Sequence, residues 1–135
     1  MGSVVAKIVA IVVCAFIGGG SRYLIGAVLP VTAGFPWATI VVNLLGSGLL
    51  AWLSHAETVT DKWPNALTVG LGVGGLGAFT TFSTFSLDTV RLLTQQDWLL
   101  AGAYLATTLI GGLGLSWLGF WSARRWFSFP VVEEA

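Results

Sequence analysis

The sequence predicts an all-α membrane protein with four transmembrane helices, and three observations predict it. The chain of 135 residues is 56% hydrophobic and 9% charged, with a mean hydropathy of +0.87. A soluble domain carries roughly 25% charged residues, so this chain cannot cover itself with polar surface, and lipid is its expected solvent. Apolar runs recur four times along it, each near the roughly 20 residues that cross a hydrocarbon core of about 30 Å. Tryptophans stand at the predicted borders, at Trp37, Trp52, Trp63, Trp98, Trp121 and Trp126, where amphipathic rings settle at headgroup depth.

The chain reads as one four-span domain over 1–135. The first span runs from about Val4 to Leu29 and stops before Pro30. Lys7 followed by "IVAIVVCAFI" has the look of a signal peptide, but the run continues through Gly18–Gly20 and Arg22 without a small-x-small cleavage site. It is therefore expected to be retained. "PVTAGFP" makes a turn, and the second span runs from Trp37 to about Ser54. "HAETVTDKWPN" is the most polar stretch and must face water. The third span runs from Asn65 to about Thr94, "QQD" turns the chain, and the fourth runs from Trp98 to about Ala123. Arg124 and Arg125 are expected to mark its end, before a tail containing Glu133 and Glu134.

Charge excludes several classes of function. Formal net charge is zero with no basic or acidic block, which argues against a nucleic-acid partner or a polybasic membrane patch. Cys14 is the single cysteine; it reads as a packing residue. His55 reads as interfacial and has no triad partners, and no paired carboxylates lie within a span, so the protein is not expected to be an enzyme. Lys7, Lys62, Arg124 and Arg125 fall on one side of a four-span chain and Arg91 on the other. This weak bias favours both termini inside.

The third span carries the chemistry. "GLGVGGLG", 70–77, matches a dinucleotide-binding glycine pattern, but no strand precedes it and no βαβ unit is available. Glycine costs about 1 kcal/mol relative to alanine inside a helix. The run therefore predicts either a helix that breaks and restarts or an unbroken helix with a glycine packing face; spacing alone leaves both open. A break at membrane depth persists only when buried in protein or lining a polar cavity. It would free carbonyls for a cation and offer N–H groups and a positive dipole to an anion, with Thr80 or Thr81 as cap. "GAFTTFSTFS" then brings five hydroxyls and three phenylalanines. Phe79, Phe82 and Phe85 are spaced to share one face, and phenylalanine edges are electropositive.

Polar groups elsewhere fit an anion path. Asn43 is the one amide deep in a span, either interhelical glue or a donor lining a pathway, and Thr39 shares its face. Tyr104, Thr108, Gly112 and Ser116 recur every four residues. Arg22 is the strong charge inside the first span, where a charge defaults to function. Asp88 and Arg91 read as a surface pair or as vestibule lining. Small residues at packing spacing, Gly70/Gly74, Ala15/Gly19 and Gly112/Ser116, predict close helix contacts. Four helices enclose a pathway poorly, so a homo-oligomer is expected.

"GGGSRY" (18–23), "VNLLGS" (42–47) and "GAFTTFSTFS" followed by Asp88 together resemble the small bacterial fluoride channel family, Fluc/CrcB. The resemblance covers essentially the whole chain. It implies an antiparallel, dual-topology homodimer in the bacterial inner membrane, with two pores through which fluoride leaves the cytoplasm passively. It implies a third helix broken near Gly77–Thr80 and a structural Na⁺ on the dimer axis, held by the carbonyls of Gly77 and Thr80. It places Phe82 and Phe85 and the Asn43 amide in the pore, Tyr104 and Thr108 on the polar track and Arg22 in the vestibule. The hydroxyls of Ser83 and Thr84 complete the expected fluoride donors. The chain departs from the family where a common glutamate is Asp88, where Gly112 replaces a serine of the track, and in "GLGAFTTF" before the threonines.

Two other readings compete. A proton-coupled small multidrug transporter needs an acidic side chain in the first span, which instead carries Arg22. A non-transporting scaffold would make every motif packing, against which the hydroxyl-rich third span and Asn43 weigh.

Overall fold

A computed structural model describes residues 2–29 and 34–127. Part of the "PVTAGFP" turn and the tail with Glu133 and Glu134 lie outside the described residues. The described residues are helical nearly throughout. Helix α1 spans Gly2–Val28 and α2 Trp37–His55, followed by a short α3, Glu57–Thr60, inside the predicted aqueous loop. The third span is a composite: α4 (Asn65–Val69), a π-helical stretch (Gly70–Leu76), α5 (Gly77–Phe79) and α6 (Phe82–Thr94). Helix α7, Trp98–Phe127, is the last of the described elements. Four helical segments are long and apolar enough to cross a bilayer: Ser3–Val28, Trp37–His55, Asn65–Thr94 and Trp98–Trp126. The protein is an all-helical, multi-pass membrane protein. The fourth span continues past Arg124 and Arg125, because arginines at a helix C-terminus complement its dipole and extend it into the interface.

The helices pack as two parallel pairs. α1 lies on α4, the π-helical stretch and α5, while α2 lies on α7. The glycine run explains the first pair. A Cβ on Gly74 would strike the Ile11 carbonyl oxygen, and one on Gly18 the Gly75 carbonyl oxygen. These are backbone-to-backbone contacts that larger residues forbid, as small residues permit between membrane helices generally. The Gly77 N–H reaches back five residues to the Gly72 carbonyl, the wider winding of a π-helix. The glycines at 70–77 are therefore a wound packing face, and the backbone departs from helix only beyond them. A Cβ added at Gly19, also expected at a packing face, would meet nothing within 4 Å among the described residues.

Between α2, α6 and α7 lies a small core of Ile40, Leu92, Ala101 and Tyr104, flanked by Phe35, Leu44 and Phe85. Outside it the surface is apolar: Phe16, Leu99, Ile110 and Leu113 are all exposed. Such an exterior suits lipid or another apolar partner.

Candidate functional site

The site is organised by two residues that leave the helix halfway along the third span. Thr80 still donates its N–H to the Leu76 carbonyl at 3.0 Å, but its ψ of 160° turns the chain outward. Thr81 is extended, with φ −149° and ψ 120°. Its hydroxyl then accepts the Thr84 N–H at 3.1 Å, which makes it the N-cap of α6.

Asn43 holds this interruption in place. Its Oδ1 accepts the Thr81 N–H at 2.8 Å, and its Nδ2 donates to the Thr81 carbonyl at 3.0 Å. The amide thus replaces both backbone partners that Thr81 loses by leaving the helix. One consequence falls on Gly77. In an unbroken helix its carbonyl would take the Thr81 N–H, which here goes to Asn43. On the other flank, Arg22 Nη1 donates to the Thr80 carbonyl at 3.3 Å, placing a positive charge at the carbonyl end of α5, where the dipole favours it.

A cavity of about 400 Å³ opens beside these groups, lined among others by Arg22, Thr39, Thr81 and Thr84 and, among the described residues, by no acidic one. The hydroxyls form a directed cluster. Thr81 Oγ1 donates to Thr84 Oγ1 at 3.0 Å and lies 3.3 Å from Ser83 Oγ. With Thr84 accepting from Thr81, the Thr84 hydroxyl keeps a proton it can offer to the cavity that it lines.

A second polar cluster lies one helical turn away on α2. Asp88 Oδ2 accepts from Thr39 Oγ1 at 2.7 Å and from the Tyr104 hydroxyl at 3.2 Å. Asp88 therefore faces inward, tying α2, α6 and α7 together; among the described residues it forms no ion pair with Arg91, the surface partner that spacing suggested. Tyr104 has no exposed surface, and its only proton is directed to the carboxylate. The rings continue outward from it: Phe85 lies 5.4 Å from Tyr104, and Phe82 5.9 Å from Phe85. Phe82 is 80% exposed, and the interruption at Thr80–Thr81 separates it from Phe79, so these three rings do not share one continuous helix face. One turn beyond Tyr104, the Thr108 hydroxyl is buried with no hydrogen-bond partner.

The expected site residues thus fall into two groups, with Thr108 reaching neither. Arg22, Asn43, Ser83 and Thr84 meet at Thr80–Thr81, while Tyr104, Phe82 and Phe85 follow Asp88. Thr81 organises the first group, and Asp88 the second. Of the two organising residues, Thr81 was expected as a cap, beside Thr80, and only the role of Asp88 was missed from sequence. The capping signal for Thr81 was visible as a threonine before "FSTFS", but the inward turn of Asp88 depends on which face of α6 meets α7.

Residues 9–120 match the family model described as "CrcB-like protein, Camphor Resistance (CrcB)". The chain is 40% identical over 120 residues to "Fluoride-specific ion channel FluC 1" of Latilactobacillus sakei subsp. sakei, covering 89% of each chain. It is 44% identical over 103 residues to a protein of the same name from Desulfitobacterium hafniense, covering 76% of this chain and 90% of that one. With another such protein from Bacillus cereus it shares 38% identity over 122 residues, 86% of this chain and 83% of that one. These relatives are named as ion channels, not as enzymes. With the matched region spanning all four candidate spans and the residues around the interruption, the chain belongs to the CrcB family.

Proposed function

We propose that this protein is a fluoride-selective channel that lets fluoride leave the cytoplasm passively. The observation that supports the reading best is the cavity at the interrupted third span. It presents the Arg22 guanidinium and the unspent Thr84 hydroxyl with, among the described residues, no acidic one in its lining. Fluoride is small and strongly hydrated, so a path for it must replace lost water with donors. The relatives' names add the ion's identity.

The pathway we propose runs past Asn43, Ser83, Thr84 and the edges of Phe82 and Phe85 to Tyr104 and Thr108. Several of these donors are spent within the single chain, so each must act differently. Asn43 keeps one amide proton beyond its bond to Thr81. Tyr104 can offer its proton only by leaving Asp88, whereas Thr108 is buried without a partner and needs none displaced.

The functional unit we propose is an antiparallel, dual-topology homodimer in the bacterial inner membrane, with two pores. An 80% exposed Phe82 in the aromatic run supports it, because a second copy would cover the ring. A structural Na⁺ would lie at the interruption. Among the described residues no group of three His, Cys, Asp or Glu side chains gathers to hold a metal, so backbone carbonyls are the available ligands. Gly77 fits, since its helical donor is diverted to Asn43. Thr80 fits only once Arg22, a like charge now bonded to its carbonyl, turns away. Bound there, the ion would take lone pairs of carbonyl oxygens at the interruption and add a fixed positive charge.

Purified protein in liposomes tests the function, with fluoride and chloride efflux read by ion-selective electrodes. Rapid fluoride efflux without chloride efflux is expected. Silence for both ions favours the scaffold, and substrate-driven proton flux favours the multidrug transporter.

A further inference from the structure

Helices α2 and α7 run parallel, with Leu44 against Gly111 and Gly48 against Leu115 and Gly119. Their C-terminal ends therefore reach the same membrane face; there the His55 ring meets Phe120 edge-on at 4.8 Å. An apolar groove of about 380 Å³ lies between them, running from Leu44 and Leu45 to Trp52 and Trp121. The close approach of Gly48 and Gly119 forms part of its floor. Leu44 to Trp52 is a rise of about 12 Å at 1.5 Å per residue, most of the roughly 15 Å of hydrocarbon in one leaflet.

The head of this groove is positively charged. The Arg125 guanidinium sits 5.6 Å from the centroid of the Trp121 ring, which itself lines the groove. Arg124 is 5.4 Å from the Phe120 ring. Cation–π contact holds Arg125 beside the groove, while Arg124, one residue before it, is held over Phe120, which does not itself line the groove; among the described residues no acidic residue lines it. Leu45, Leu49 and Leu118 keep it open toward the surroundings, each about half exposed.

We propose that this groove and the two arginines form a binding site for an anionic phospholipid. One acyl chain would lie along Leu45, Leu49 and Leu118 with the phosphate against Arg124 and Arg125. Charge complementarity selects this occupant: a zwitterionic lipid would set its own cationic group beside the arginines, and a neutral apolar partner would bury them unpaired. The site is separate from the interruption at Thr80–Thr81 and does not depend on the transported ion.

The test strips the full-length protein of lipid in detergent and titrates it with palmitoyl-oleoyl phosphatidylglycerol or phosphatidylcholine. Retained lipid is counted by native mass spectrometry. Phosphatidylglycerol should bind about tenfold more tightly than phosphatidylcholine, and the R124Q/R125Q double variant should lose that preference. Leu45→Trp, which fills the groove and keeps both arginines, should lose retention of either lipid. Equal retention of the two lipids by the unaltered protein overturns the proposal, as does undiminished phosphatidylglycerol binding by L45W. It is also overturned if Leu118→Cys crosslinks two copies in the bilayer, since a second copy then covers the groove.

Discussion

Asn43 has a structural role in the fold and a proposed one in the pathway. Its amide donates to and accepts from Thr81 at once, which is the interhelical role the sequence left open beside a pathway role. Asn43→Asp keeps the acceptor but sets a carboxylate oxygen against the Thr81 carbonyl. Fluoride efflux from liposomes should be abolished, and undiminished flux would defeat the pathway assignment. The variant should also lower stability by about 1–3 kcal/mol, the cost of a buried hydrogen bond lost, read from denaturant unfolding. Thr108 separates the two roles more cleanly. Its buried hydroxyl has no partner among the described residues, and Thr108→Val removes a polar group at nearly constant volume. Stability should hold or rise while fluoride efflux falls; unchanged efflux would remove Thr108 from the pathway.

At the scale of the element, the third span depends on two devices with different physics. Thr81 ends the extended pair and caps α6 through the Thr84 N–H. Thr81→Ala should cost about 0.5–2 kcal/mol, the usual loss of an N-cap, with Thr81→Ser recovering most of it; equal loss in both would show that the hydroxyl does not act as the cap. The π-helical stretch depends on closeness instead. A Cβ at Gly18 would meet the Gly75 backbone, which cannot rotate away as a side chain can. Gly18→Ala should therefore destabilise by about 1–3 kcal/mol through overpacking. The same change at Gly102, which has nothing within 4 Å of its added methyl in this chain, serves as the comparison in a thermal unfolding assay. Equal melting temperatures for the two variants would contradict the packing account.

Across the whole molecule, a single copy leaves much of its aromatic and apolar surface uncovered, including Phe82 and Tyr23. The proposed antiparallel dimer makes a geometric prediction. Cysteines introduced at Asp61, in the loop after α2, and at Asp97, before α7, lie at opposite ends of the spans by the parity of crossings. In inside-out and right-side-out vesicles, an impermeant thiol reagent should label each position to a similar extent from both sides. Labelling of each from one side only would exclude dual topology.

The sequence by itself determined the solvent, the number of spans and the presence of a polar stretch where lipid should be. These follow from composition and run length, which are properties of the chain summed over many residues. It also located Asn43, Arg22 and the hydroxyls, because polar groups stand out against an apolar background. Only the tertiary structure decided what those groups do. Whether the Asn43 amide, the Tyr104 proton and the Asp88 carboxylate are spent or free depends on which atoms the packed helices bring within 3 Å or so. Asp88 is one turn of α6 before Arg91, yet it faces Thr39 and Tyr104. Likewise the glycines at 70–77 left a break and a packing face both open, while packing against α1 winds them into a π-helix and the extended backbone falls at Thr80 and Thr81, where Asn43 can satisfy it. A hydrogen bond is won or lost over fractions of an ångström, and that precision arises only when distant segments meet.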